Sequence, residues 1–321
     1  MNMLKLLFRR IFLGGLTVII VSMIIFGAVE MLPGDACTAL LQQDARGETL
    51  KQCQEDLGLN RPAVLRYTDW VGGAAKGDFG LTAHRNKKVS DLVGDRVKNS
   101  LLLGLCSLAL GLPLAFAMGI AAALKRDRWL DLSVSSLAIV AMTIPEFVSA
   151  TVLILIFSAW LGWLPGIVTA SASSPLSAFF PEIILPVVVL SMVMTAHILR
   201  TVRSSMLEVL DSDYVRMATL KGVPYSRMIV RHVLPNALLP AINVVALTVA
   251  WLLGGVVVIE TVFNYPGLGR LKVSAISDRD LGLVQAIALI VSCVYVTVNL
   301  SADILSLLAN PRLRTSMGRN S

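Results

Sequence analysis

Glu146 follows Pro145 in the middle of an apolar run, about Leu132 to Leu161, that carries no other charge. A carboxylate at bilayer depth costs a few kcal/mol unless it faces protein or water. Glu146 therefore either lines an aqueous path or is a paired or protonated structural acid. His197 and Asn299 stand in two further apolar runs, where hydrogen bonding within a helix bundle is the default expectation; Asn299 joins Glu146 as a candidate path residue. Other chemistry is missing from the chain. It has no G-x-x-x-x-G-K-[ST] loop to cradle phosphates, no H-E-x-x-H, no G-x-S-x-G and no Cys-x-x-Cys, and His84, His197 and His232 are far apart in sequence. No catalytic residue, metal centre or cofactor of its own is expected. An ion-coupled carrier usually needs several ionisable groups within its spans. Only Glu146 and His197 qualify, so the energy for uphill movement would come from elsewhere.

The elements that hold these residues follow from apolarity. Of 321 residues, 55% are hydrophobic and 15% charged, and the mean hydropathy is +0.74. A soluble chain is nearer ~25% charged, so lipid must cover the excess. Charge-free runs long enough to cross a bilayer occur at Ile11 to Val29, Ser100 to Leu124, Leu132 to Leu161 (broken by Glu146), Ile183 to Leu199, Val233 to Ile259 and Leu281 to Ala302. Their continuous apolarity excludes the alternation of a barrel strand. The chain reads as an all-α integral membrane protein with six transmembrane helices. Gly111, Ala115 and Gly119 recur every fourth residue in the second run, a pattern that lets another helix approach closely.

Orientation follows from basic residues in the connections. With both termini cytoplasmic, the inner segments hold 15 Lys and Arg against 6 Asp and Glu, and the rest of the chain 13 against 15. The net charge of +7 is not gathered into a basic tract, so nucleic acid is not an expected partner. Trp129, Trp160 and Trp163 fall near span ends, as headgroup anchors do, whereas Trp251 is expected inside the bundle. Residues 1–98 then comprise a first span and an extracytoplasmic segment with helical spacing over Glu48 to Leu57 and Pro62 to Ala75. A stripe of Val89, Leu92, Val93 and Val97 is expected to lie along the membrane face before span 2. Cys37 and Cys53 share this oxidising side; spacing leaves open whether they are bonded or free.

The longest inner connection, 200–236, is the most informative. Asp211, Ser212 and Asp213 offer N-caps, Tyr214 to Lys221 reads as a short helix, Gly222 stands at its C′ position, and Pro224 begins a second helix running to His232. Tyr214, Val215 and Ala218 would give this knob an apolar face for a partner's groove.

The stretch Tyr214-Val215-Arg216-Met217-Ala218-Thr219-Leu220-Lys221-Gly222, with Arg231-His232-Val233-Leu234-Pro235, resembles the "EAA" loop of ABC-importer permeases. In register, Ala218, Gly222, Leu234 and Pro235 match that loop, Arg216 and Met217 replace its first two residues, and His232 replaces its isoleucine. These departures resemble the dipeptide and oligopeptide branch, as do Leu32-Pro33-Gly34-Asp35, Gly77-Asp78-Phe79-Gly80, Glu260 to Arg270, Asp303-Ile304-Leu305 and Asn310-Pro311-Arg312. The resemblance implies a type I ABC importer permease fold, with a permease core at 99–310 and a cytoplasmic tail at 311–321. It implies an ATPase-coupling loop carried by Tyr214, Arg216, Ala218, Lys221, Gly222, Leu234 and Pro235. The implied partners are a second homologous permease, two cytoplasmic ABC ATPases that bind the ATP, and an extracytoplasmic substrate-binding protein, all at a bacterial inner membrane. Di- or oligopeptides are the implied cargo; nickel chelates, glutathione and opines are carried by very similar permeases. Two readings from other classes are an ion-coupled secondary carrier and a non-transporting membrane scaffold.

Overall fold

The computed structural model describes residues 3–31, 36–41, 45–56, 58–82 and 87–309. The motifs at Leu32 to Asp35 and Asn310 to Arg312, the tail and the Trp251 side chain lie outside the described residues. Thirteen helices form among them: α1 (Met3–Glu30), α2 (Ala36–Leu41), α3 (Gly47–Asp56), α4 (Ala63–Ala75), α5 (Val89–Leu124), α6 (Trp129–Thr143), α7 (Glu146–Leu153), α8 (Leu176–Leu210), α9 (Asp213–Leu220), α10 (Tyr225–Met228), α11 (Leu234–Val262), α12 (Leu268–Ser277) and α13 (Leu281–Ala309). π-helical turns extend α7 over Ile154–Trp160 and join α10 to α11 over Ile229–Val233.

Among the described residues four helices are long and apolar enough to cross a membrane, and two bent helix pairs bring the candidate crossings to six where each pair counts as one span. The third expected span is one of these pairs. Its halves, Trp129–Thr143 and Glu146–Trp160, meet at 103°. The cause is Pro145, which lacks the N–H a continuous helix needs and pushes Ile144 into an extended conformation, φ −78° and ψ 124°.

Packing centres on α5 against α8. At Gly111 an added Cβ would lie 2.3 Å from the Met194 methyl carbon, and at Gly119 it would lie 2.9 Å from the Leu199 carbonyl oxygen, so the small residues set the approach of the two helices. Ser191 Oγ and Thr195 Oγ1 of α8 donate across the seam to the Ser107 and Gly111 carbonyls at 3.0 and 3.1 Å. The stripe before span 2 differs from expectation. Val89 and Val93 are not on a separate surface helix; they begin α5 itself and are buried with Leu271, Ala275, Leu283, Ala286 and Ile287 of α12 and α13. A 3.6-residue stripe reveals that a face is covered but not by what, and here protein covers it.

At the end of the bundle opposite α9, α4 leans on α1. Tyr67 OH pairs with Ser22 Oγ at 2.8 Å, Arg66 pairs with Glu30, and the Phe26 and Tyr67 rings meet edge-on at 5.4 Å. Cys37 and Cys53 are joined in a disulfide, their Cα atoms 5.9 Å apart, which links α2 to α3. Trp129 is exposed at the α9 end and Trp160 and Trp163 at the other, where rings of a membrane belt belong.

Candidate functional site

Asp211 and Ser212 separate α8 from α9, and the chain turns there and again at Lys221 and Gly222. Ser212 occupies the N-cap position with extended backbone, yet its hydroxyl does not cap the helix; it donates back to the Val209 carbonyl at 2.5 Å. At the other end Gly222 has φ +72°, Gly222 N–H donates to Thr219 O at 3.0 Å and Val223 N–H to Ala218 O at 3.2 Å. This pair of bonds is the Schellman motif, which needs a left-handed residue at C′. Nothing lies within 4 Å of a Cβ added at Gly222, so the requirement there is conformational and not steric.

The knob's apolar face differs from the one read in the sequence. Val215 is only 3% exposed and packs with Met228 and Ile229 in the main core, and Ala218 lies against the same cluster. These two anchor α9 to its own chain. The outward side chains are Tyr214, Met217 and Leu220, the last 82% exposed, with Arg216 and Lys221 beside them. Tyr214 OH also reaches the His232 carbonyl at 3.4 Å, which ties α9 to the segment leading into α11. Leu234 packs on the core, while Pro235 is exposed at the second residue of α11.

Glu146 opens α7 at the break, and α7 packs on α8 and α11. Its Oε2 is buried without a hydrogen-bond partner, and so is Oγ of Ser149, one turn further along the same helix. Asn299 lies apart from them on α13 and donates to the Tyr295 carbonyl one turn back, at 2.9 Å. No hydrogen bond joins Asn299 to Glu146. His197 is on the exposed side of α8 and not within the bundle, contrary to the expectation for it.

Two charged constellations escaped the sequence reading. Asp131, 1% exposed near the start of α6, accepts Nε and Nη2 of Arg203 from α8 at 2.5 and 2.8 Å, the Asp127 N–H at 3.0 Å and the Ser135 hydroxyl at 3.2 Å. Only the position of both residues just beyond apolar runs could have suggested the pair, and a sequence separation of 72 hides it. The second centres on Glu260, fully buried at the end of α11. It accepts Ser100 Oγ at 2.5 Å and Arg270 N–H at 3.0 Å, so its carboxylate closes the N-terminus of α12. Around it Tyr265 OH donates to Asn99 O at 2.8 Å, and Asn99 Nδ2 donates to Pro266 O at 2.7 Å. Burial, and after it the Glu260 charge, raises the Tyr265 phenol above its ordinary range. The stretch Glu260 to Arg270, noted only for its resemblance, is thus a latch joining α5, α11 and α12.

A bundle of membrane-crossing helices with a capped, outward-facing short helix at one end is the architecture of a multi-pass permease subunit. Residues 111–315 match the family described as "Binding-protein-dependent transport system inner membrane component", and residues 3–100 match its N-terminal companion. The chain belongs to this family and is a permease subunit of an ABC importer. A putative peptide transport system permease protein of Brucella abortus (strain 2308) is 34% identical over 313 residues, covering 97% of this chain and 99% of the relative. The glutathione transport system permease protein GsiC of Escherichia coli (strain K12) is 35% identical over 298 residues, 93% and 95% of the two chains. Among solved structures, an amino acid ABC transporter crystallised with histidines shares the fold, with TM-score 0.50 and 16% identity over 70% of this chain and 95% of the other.

Proposed function

We propose that this chain forms one half of the translocation path of a short-peptide importer, paired with a second homologous permease. Two cytoplasmic ATPases drive it and an extracytoplasmic binding protein delivers the cargo. The chain itself binds no nucleotide and catalyses no reaction. The observation that carries the reading is the outward face of α9: Tyr214, Met217 and Leu220 stand exposed on a helix whose other side is anchored by Val215 and whose end is closed at Gly222. Apolar side chains at i, i+3 and i+6 on a rigid stub suit the groove of a soluble partner. Arg216, Lys221, Ala218, Leu234 and Pro235 complete the ATPase-coupling loop, and the concentration of basic residues at this end supports a cytoplasmic position for it and for both termini.

The two relatives named above support a peptide cargo by their descriptions, glutathione being itself a short peptide. Glu146 lines the path. Its buried, unpartnered oxygen needs a donor, which water or cargo in a central channel would supply; Asn299 is a lesser candidate for the same path. Vesicles holding the chain, its second permease and both ATPases should take up short peptides only when ATP and the binding protein are supplied. Uptake by the purified chain without ATP would replace this reading with a secondary carrier. In the same vesicles Glu146→Gln should slow uptake, and an unchanged rate would make Glu146 a packing residue.

A further inference from the structure

Arg203 and Asp131 sit where the proposed coupling motion must enter the membrane domain. α8 runs without a break from Arg203 to Leu210, a distance of about 10 Å at 1.5 Å per residue, and α9 follows directly. Asp131 is in the first turn of α6, on the far side of the short 125–128 turn from α5. The guanidinium fork grips both carboxylate oxygens, and the Asp127 N–H and Ser135 hydroxyl take the remaining acceptor positions. A fork holding both oxygens fixes orientation as well as distance, which a lysine ammonium cannot do. A second tie runs parallel to it: Arg126 Nη1 bonds Asp211 Oδ2 at 3.0 Å, joining the 125–128 turn to the residue at the junction of α8 and α9. At its other end α6 stops at the 103° break beside Glu146.

We infer that the Asp131–Arg203 clamp makes α6 and α8 one rigid body, so that displacement of α9 moves both together and the bending is confined to the Pro145 break. Arg203 and Asp131 are positioning residues: they touch neither cargo nor ATPase, and they act by holding α6 in register with the helix that α9 pulls. A packing contact of the same strength would stabilise the fold but would not alter how much cargo moves per ATP. The inference rests on the docking of α9 against an ATPase.

The test uses the whole reconstituted importer, and a Met217→Cys cross-link to the ATPase reports docking separately. Arg203→Lys should leave the cross-link and the amount of assembled complex intact while lowering uptake per ATP hydrolysed by about three- to ten-fold, the size of effect that coupling residues show. The exchanged pair Asp131→Arg/Arg203→Asp should recover part of the ratio that either single change loses. Spin labels at the exposed positions Leu132 on α6 and Ser204 on α8, with Cys106 and Cys293 replaced by alanine, should keep one separation in nucleotide-free and ATP-trapped states. A separation that changes by a helical turn, about 5 Å, overturns the clamp even if Arg203→Lys fails to assemble. An unchanged transport ratio with the cross-link intact overturns it too. Loss of the cross-link in the otherwise unaltered chain would instead remove the docking reading, and the clamp with it.

Discussion

Glu260 and Glu146 are both acids in apolar surroundings, and their neighbours give them opposite characters. Glu260 is enclosed by its own chain, and the room for it comes from Gly267, where an added Cβ would lie 2.1 Å from the carboxylate. Gly267→Ala must push that carboxylate off Ser100 and the α12 N-terminus. Leaving buried polar groups unpaired costs on the order of 1–3 kcal/mol, so the variant complex should unfold at a clearly lower temperature in detergent. Gly104→Ala on α5 is the control, because nothing lies within 4 Å of its added Cβ. Equal melting of the two variants would show that the latch contributes nothing. Glu146, by contrast, has a buried oxygen that this chain leaves unsatisfied. Its oddity was legible as an acid after a proline in an apolar run, whereas Glu260 looked like the first polar residue beyond a span. Sequence flags a charge inside an apolar run; it does not register one at the edge that the fold then buries.

α9 shows what can be read of an element from local signals. Its limits were legible because Gly222 and Pro224 act within a few residues of themselves, and the Schellman bonds form where they were expected. The outward face was misread, since Val215 is buried in the same core as Met228 and Ile229 of the following segment and no periodicity in eight residues reports that. A β-branched residue at Gly222 must hold φ +72°, at a cost of roughly 1–2 kcal/mol for a left-handed residue. Gly222→Val should therefore loosen the end of α9 and lower uptake per ATP while the permease pair still assembles; normal transport in vesicles would detach this corner from coupling. The disulfide is a similar case. Cys37 and Cys53 stand at a sequence separation of 16, and only the placement of α2 beside α3 brings their Cα atoms to 5.9 Å.

For the molecule as a whole, topology is the claim on which the importer reading stands. In a background with Cys106 and Cys293 replaced by alanine, Lys221→Cys should resist an impermeant maleimide in intact cells and react in inverted vesicles. Val64→Cys, on the exposed side of α4, should do the reverse. Labelling of Lys221→Cys from outside would invert the arrangement. Class, the candidate spans and family were open to reading from the chain, because transfer of an apolar run out of water depends on the run's own composition, and because capping and turn residues act on their immediate neighbours. The cover over Val89 and Val93, the inward face of α9 and the Asp131–Arg203 clamp were not. Each depends on which distant segment supplies the other side of a contact, and that partner is chosen by the packing of the complete bundle, where no local pattern records it.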